Sequence, residues 1–539
     1  MPVNRSSRAA LAVASGLALA MAFPKFDFNL LAWIAFVPLL YAIEGATPGR
    51  VFLWSWVQGL ACNIAALYWI TITLHTFAGV RIELAVLPMI LLAAVVALYS
   101  GAALWLAVFV SERLGITIVA TLPIAWTAIE WVRTYFPIGF PWNLLGYTAY
   151  RNLALIQFAE FTGVYGVSAL IILFNAVVYM VLFRRGTARS QGVSLGVLSA
   201  ICAVAWIFGT LRIDQIDKAA PQGTIRFAMV QGDIPQSVKW NPNFRASSFA
   251  VYAEQSTNAA RLGADLIVWP EAAAAFFVQP EDRYPAVLAE DADYRKRLLK
   301  LAADIGDPIL FGAPALTVQD GRVGFFNRAY LVSGTGAIEG WYDKIQLVPF
   351  GEYVPLRSLL GGFVNRVVTG FGDMFPGTSQ TLFEVKGADL GVLICYESIF
   401  PNLSRSAVKL GADVLVNITN DAWYGDSSAP YQLLAMTALR AVESKVPVVR
   451  VANTGVSAVI EPSGRITART PLFRRGTEIE RVGWRPMRTF YAMFGDLFAE
   501  ICFVLTAIAL AFAWFRKPRE NLDAPAAAES DPHTRNGHA

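Results

Sequence analysis

Eight stretches of this chain are apolar on all sides, and the long block between the seventh and the eighth is patterned differently. The stretches lie near residues 8–24, 28–46, 51–75, 84–110, 116–135, 161–183, 192–211 and 493–515. A helix that crosses a bilayer needs about 20 mostly apolar residues. The pattern therefore predicts a seven-helix transmembrane domain over residues 1–219 and a C-terminal transmembrane helix over 491–517. The first stretch has the look of a secretory signal, because Arg5 and Arg8 precede a short Ala-rich run. The next stretch follows after only Pro24-Lys25-Phe26-Asp27, so the first is read as a retained anchor.

Residues 220–490 change character. Short apolar runs bounded by Gly, Asp and Pro alternate with helical stretches, which predicts a layered α/β domain. Three runs open alike, at Gly263-Ala264-Asp265, Gly387-Ala388-Asp389 and Gly411-Ala412-Asp413. Each is a candidate buried strand with polar residues at its C-terminal end: Trp269-Pro270-Glu271, Cys395-Tyr396-Glu397, and Asn417 to Asp421. Polar side chains gathered at strand ends are where α/β folds build sites. One such end is an ordinary strand-to-loop transition; three together point to a site.

Composition sharpens this picture. The chain has 539 residues, of which 55% are hydrophobic and 16% charged. A soluble domain carries about 25% charged residues, so much of this surface faces something other than water. The net charge of +4 is small for the length and gives no case for nucleic acid as a partner. Basic residues in short loops mark the cytoplasmic side. With the N-terminus inside, the cytoplasmic segments carry Arg5, Arg8, Arg50, Arg113, Arg184, Arg185, Arg189, Arg516, Lys517 and Arg519. The opposite loops carry only Lys25, Arg81, Arg133, Arg151 and Arg212. The 220–490 block is then expected on the far side of the membrane, which in a Gram-negative cell is the periplasm. The tail 518–539 has no apolar pattern and reads as disordered and cytoplasmic.

The residue inventory of the block limits its chemistry. All three histidines (His75, His533, His538) lie outside it, which excludes Cys-His and Ser-His-Asp devices there. No zinc-type spacing appears among Cys62, Cys202, Cys395 and Cys502, and no metal or other cofactor is expected. Cys395 is the block's only cysteine; at a strand end it is either a packed thiol or a nucleophile. A nucleophile without histidine needs a carboxylate base, and Glu271 is fixed behind a strand and a proline. Burial is expected to raise such a carboxyl toward neutrality. Lys344, with the backbone N–H after the cysteine, can balance an oxyanion. Taken singly, each has an ordinary explanation as a surface lysine, a solvated glutamate or a buried thiol.

In combination they resemble a known family. Trp269-Pro270-Glu271, Asp343-Lys344 with Glu352 eight residues on, and Cys395-Tyr396-Glu397 are similar to the three signature segments of the nitrilase (carbon–nitrogen hydrolase) superfamily. Within it the chain resembles the apolipoprotein N-acyltransferases. The resemblance rests on Tyr342 to Pro355, on Val230 to Gln236 leading to Lys239-Trp240, and on the flanking helices, and it covers nearly the whole chain. It implies a four-layer α-β-β-α sandwich, with Glu271 as general base and acid, Lys344 as oxyanion stabiliser and Cys395 as nucleophile. It also implies supporting roles for Trp240, Glu352, Tyr396 and Glu397 around the acyl and lipid site; Glu352 is equally well read as a carboxylate holding Lys344. Pro430-Tyr431-Gln432 departs from the histidine-containing segment of that family.

The implied reaction moves an acyl chain from a glycerophospholipid to the α-amino group of a lipoprotein's diacylglyceryl-cysteine, through a thioester. Both partners are lipids, which explains why the domain is anchored at the inner membrane. The apolar stretch 356–375 is expected to form a lid. Asn63, Glu130, Arg133, Asn143, Glu160 and Asn175, in the helical part, are expected to satisfy backbone or one another. A membrane-anchored amidase using the same triad is the nearest rival, and a transporter with an accessory domain is a more distant one.

Overall fold

A computed structural model describes residues 4–77, 79–183, 185–279, 288–319, 321–353 and 374–516. The expected lid at 356–375 lies outside these residues up to position 373, as does the tail 518–539. Among the described residues, four helices are long and apolar enough to cross a membrane: Ile82–Leu114, Val164–Leu182, Ala188–Lys218 and Leu497–Phe515. The pair Pro48–Ala66 and Trp69–Thr76, bent by 48°, makes up to five. At 1.5 Å per residue the 33-residue helix Ile82–Leu114 is about 50 Å long, well beyond a hydrocarbon core of about 30 Å. The stretches 8–24 and 116–135 fold as the 18-residue helices Arg5–Ala22 and Ile118–Tyr135. The stretch 28–46 is broken into a 3-10 turn, Asn29–Trp33, and a short helix, Val37–Ile43.

These helices present apolar side chains outward. Leu91, Val204, Leu211, Phe512 and Trp514 are each about two-thirds exposed, and only lipid can cover a belt of that kind without cost. The polar residues inside are mostly tied to backbone. Asn175 accepts from the Phe36 N–H and donates to the Ala32 carbonyl, both at 2.9 Å. Glu130 accepts from the Leu145 N–H at 2.7 Å, and Arg133 donates to the Trp142 carbonyl at 2.8 Å.

The 220–490 block folds as two six-stranded sheets. The first contains β1 (Gly223–Gln231), β2 (Leu266–Val268), β3 (Ile309–Gln319), β4 (Arg322–Val332) and β5 (Ile338–Asp343). The second contains β6 (Leu382–Val385), β7 (Ala388–Ile394), β8 (Val414–Thr419), β9 (Val448–Ala452), β10 (Ala458–Ile460) and β11 (Ile466–Arg469). The last strand, β12 (Gly476–Trp484), returns to the edge of the first sheet, giving the orders 12-1-2-3-4-5 and 11-10-9-8-7-6. Three central strands of each sheet run parallel, β1-β2-β3 and β7-β8-β9. The sheets face each other through β1 against β9 and β4 against β7. Helices Pro242–Arg261 and Ala292–Ile305 cover the first sheet, and Pro401–Leu410 and Ala429–Ser444 cover the second. This is the expected α-β-β-α sandwich.

The three Gly-Ala-Asp openings are now explained. Gly263, Gly387 and Gly411 all have positive φ (79°, 78° and 119°), where a Cβ is disfavoured. Gly263 and Gly411 let a helix drop onto its strand. Asp265 then accepts from the Arg226 N–H of β1 at 2.8 Å, and Asp413 accepts from the Asp389 N–H of β7 at 3.0 Å. Gly387, with Lys386 at φ 51°, forms instead the tight turn of the β6–β7 hairpin.

The helix Ala429–Ser444 is buried almost throughout, because its outer side packs on the membrane helices instead of on water. Gln432 is the central fastening: its carbonyl accepts from Trp142 Nε1 at 2.8 Å, and its amide donates to the Pro24 and Ala66 carbonyls at 3.1 Å. Lower down, Glu443 accepts from the Val164 N–H at 2.9 Å, and Glu160 sits between Arg212 (2.9 Å) and Lys445 (3.4 Å). The segment that departs from the expected histidine-containing pattern is thus a docking contact between the two domains.

Candidate active site

Three strand ends deliver the principal side chains. Glu271 lies three residues past β2, Lys344 directly follows β5, and Cys395 directly follows β7. All three are at least nine-tenths buried, at 7%, 1% and 5% exposed. The Lys344 ammonium donates to Glu352 Oε1 at 2.9 Å and to Glu271 Oε1 at 3.4 Å. The Asn327 amide, from the middle of β4, bridges the same two carboxylates at 2.7 and 2.9 Å. The Asn420 N–H, just past β8, donates to Glu271 Oε2 at 2.9 Å. Glu352 is also tied to its own loop, accepting from the Val348 N–H at 2.8 Å.

Cys395 has φ 54°, in the left-handed region. For a residue with a Cβ that costs about 1–2 kcal/mol, and the surroundings must hold it there. The 3-10 turn Cys395–Ile399 that follows is pinned by Glu397. One Glu397 oxygen accepts from the Ile394 N–H (2.7 Å), the other from the Ile345 N–H (2.7 Å), the Gln346 N–H (3.1 Å) and the Tyr342 hydroxyl (2.9 Å). Glu397 therefore joins the cysteine turn to the loop after Lys344 and is itself fully buried. Burial pushes its carboxyl up to about 7, against the pull of those N–H groups.

Electrostatics fix the resting protonation. Burial pushes the Glu271 carboxyl up, but Lys344, Asn327, Lys239 and the Asn420 N–H together hold it below the usual carboxylate range. The expectation of a carboxyl raised toward neutrality is thus corrected: the pocket is dry but rich in donors. Burial and the Glu271 charge push the Cys395 thiol up to about 12, with Lys344 opposing. Burial alone would lower the Lys344 ammonium; Glu352 and Glu271 outweigh it and raise it. The site rests as carboxylate, ammonium and neutral thiol, so the proton leaves sulfur only as sulfur attacks.

The other expected residues take varied places. Tyr396 is buried, stacked on Trp142 of the membrane domain (centroids 6.4 Å) and edge-on to Phe400 (5.0 Å). Trp142 also meets Trp69 and Tyr424 at 4.8 and 6.2 Å, so an aromatic wall runs from beside the thiol into the membrane helices. Trp240 is half-buried at the end of the short helix Gln236–Lys239. Sequence reasoning missed Asn327, Asn420 and Lys239. Asn420 and Lys239 lie inside motifs that it singled out; Asn327 sits mid-strand with no signal.

Gly312 of β3 packs under the Glu271 turn: a Cβ there would meet the Ala272 nitrogen at 2.4 Å and Glu271 Cα at 2.8 Å. Gly312→Ala is expected to displace the Glu271 backbone, cut turnover at this site tenfold or more, and cost about 1–3 kcal/mol of stability as overpacking does. Comparing initial rates and melting temperature with the parent protein checks both; unchanged kinetics would contradict this packing.

A carboxylate, a lysine and a cysteine meeting at strand ends between two facing sheets define a carbon–nitrogen hydrolase domain. The family model described as carbon-nitrogen hydrolase matches residues 226–485. A second model, the apolipoprotein N-acyltransferase N-terminal domain, matches residues 15–177. The apolipoprotein N-acyltransferase of Geobacter metallireducens is 40% identical across 94% of this chain and 95% of its own length. That of Pseudomonas syringae pv. tomato is 31% identical across 86% and 89%. A solved amidase from Nesterenkonia sp. aligns with 48% of this chain and 90% of its own, at 22% identity and a TM-score of 0.36. The chain belongs to the apolipoprotein N-acyltransferase family, and it is an enzyme of the acyltransferase class.

Proposed function

We propose that this enzyme moves an acyl chain from a membrane glycerophospholipid to the N-terminal α-amino group of S-diacylglyceryl-cysteine in a lipoprotein, through a thioester on Cys395. The observation that carries the reading is the meeting of Glu271, Lys344 and Cys395 in one buried site, joined by an aromatic wall to lipid-facing helices. In the first half-reaction Cys395 sulfur attacks the ester carbonyl while Glu271 takes the thiol proton. Lys344 and the Tyr396 N–H, in the first turn after the strand, balance the oxyanion. Collapse breaks the ester C–O bond, and Glu271 returns its proton to the departing lysophospholipid oxygen. In the second half-reaction the amine attacks the thioester, Glu271 takes its proton, and sulfur leaves as the thiol with that proton. An amide remains.

Glu352 acts in this reading by holding Lys344, Glu397 by fixing the cysteine turn, and Tyr396 and Trp240 by shaping the acyl path. The loop charges favour an inner-membrane protein with the catalytic domain in the periplasm. Intact-mass analysis of the full chain after incubation with phospholipid alone tests the mechanism. A mass gain of one acyl chain that is absent in Cys395→Ala supports it. Rapid turnover of small amides, with no such adduct, would favour the amidase instead.

A further inference from the structure

A second cation lies against the Glu271 turn. Lys239, at the end of the short helix Gln236–Lys239, is 4% exposed, and its ammonium donates to the backbone carbonyl of Glu271 at 2.9 Å. The next residue, Ala272, has φ 49°, so this hydrogen bond ties down a turn that would otherwise relax. A small cavity lined by Ile234, Phe249, Tyr252 and Phe276 flanks the Lys239 stem. A lysine with so little water around it needs a negative neighbour, and the Glu271 carboxylate supplies that field.

We propose that Lys239 is a positioning residue for the acyl-transfer site, clamping the Glu271 turn and supplying the second ammonium that balances its two carboxylates as negative charge develops on Cys395. The charge count supports this. Glu271 and Glu352 face Lys344 alone at the triad, and Lys239 brings the four groups to neutrality. Glu271 is faced by Lys344, Asn327, Cys395 and Tyr424, with Glu352 behind Lys344. Arg245, across the small cavity from Lys239, is already paired with Asp291. Asp421, whose charge also bears on the thiol, is paired with Arg450. No other cation is bonded to the Glu271 residue among the described residues. Burial brings the Lys239 ammonium down to about 8 against the attraction of Glu271. Its charge is therefore full below that pH and lost above it.

The inference rests on the proposed roles of Glu271 and Cys395, but its test needs no lipid. In the full-length protein in detergent, the rate of Cys395 alkylation by iodoacetamide, read by intact mass, reports how readily sulfur loses its proton. Lys239→Met is expected to slow alkylation at pH 7 about tenfold or more, because removing a neighbouring cation raises a thiol by a unit or more. Lys239→Arg is expected to stay within about threefold of the parent protein. From pH 7 to 10 the parent profile should flatten near pH 8 as Lys239 discharges, whereas Lys239→Arg should keep rising. Should Lys239→Met fail to accumulate as folded protein, the Lys239→Arg profile decides alone. A parent-like rate and profile in Lys239→Met, or the same flattening in Lys239→Arg, overturns the proposal. Failure of the parent protein to form an acyl adduct would sink the proposed function while leaving the alkylation result to judge Lys239.

Discussion

Lys344→Met is expected to lower the rate of acyl transfer by at least a thousandfold while leaving a folded protein. One oxyanion donor is worth about 10²–10³ in rate, roughly 2.7–4 kcal/mol, and in the proposed mechanism Lys344 does more than stabilise an oxyanion. Its ammonium stands between Glu271 and Glu352, which otherwise share only the Asn327 amide. Without it the two carboxylates repel each other, and Glu271 loses the strongest influence that keeps it ionised. The sign of the pH effect follows. A carboxyl held below its unfolded value contributes stability that is present above that value and lost as pH falls through the folded one. In Lys344→Met that contribution disappears, and the acid limb of kcat/KM should move upward. Lys344→Arg keeps the charge but spreads it over a planar fork that does not fit between two carboxylates, so it should rescue the acid limb better than the rate. A rate within tenfold of the parent protein in Lys344→Met would remove the ammonium from the mechanism.

The largest loss of stability should come from behind the site. Arg450 of β9 and Asp421, just past β8, form a pair at 2.7 Å with neither side chain exposed. Removing one partner of such a pair leaves a buried charge alone and costs about 3–5 kcal/mol, whereas replacing both with apolar groups costs far less. Arg450→Met is therefore expected to lower the melting temperature sharply, with Arg450→Met/Asp421→Leu recovering much of the loss. The effect should also reach the chemistry. Thr419 donates to Asp421 at 2.8 Å and also bears on the Cys395 thiol, so a displaced Asp421 frees a hydroxyl beside the proposed nucleophile. Thermal melting in detergent, followed by tryptophan fluorescence, measures the stability term. An unaltered melting temperature in Arg450→Met would mean that the pair is hydrated after all.

The strand ends were the most legible part of the chain. Gly-Ala-Asp openings, apolar strands and the polar residues after Val268, Ile394 and Thr419 are all local patterns, and the site is assembled from them. The charge state of Glu271 was not legible. It depends on Asn327, Lys239 and the Asn420 N–H, which arrive from three distant elements; Lys239 and Asn420 stand in recognisable segments, but nothing in the sequence says that they converge on Glu271. The role of Ala429–Ser444 was also missed. Almost every side of it is covered, because the membrane helices take the place of water. A clue was present in its composition: Tyr431 to Ala441 contains a single charge, Arg440, fewer than a solvent-facing helix carries.

That docking helix has a consequence for how the lipids must arrive. Gln432 is hooked to the Pro24 and Ala66 carbonyls and Glu443 to the Val164 amide, so the sandwich is fastened to its base near both ends of that helix. The thiol therefore stays at one depth relative to the leaflet. In the proposed reaction, donor and acceptor then reach the same doorway by sideways diffusion, and the spent lysolipid clears it before the acceptor enters.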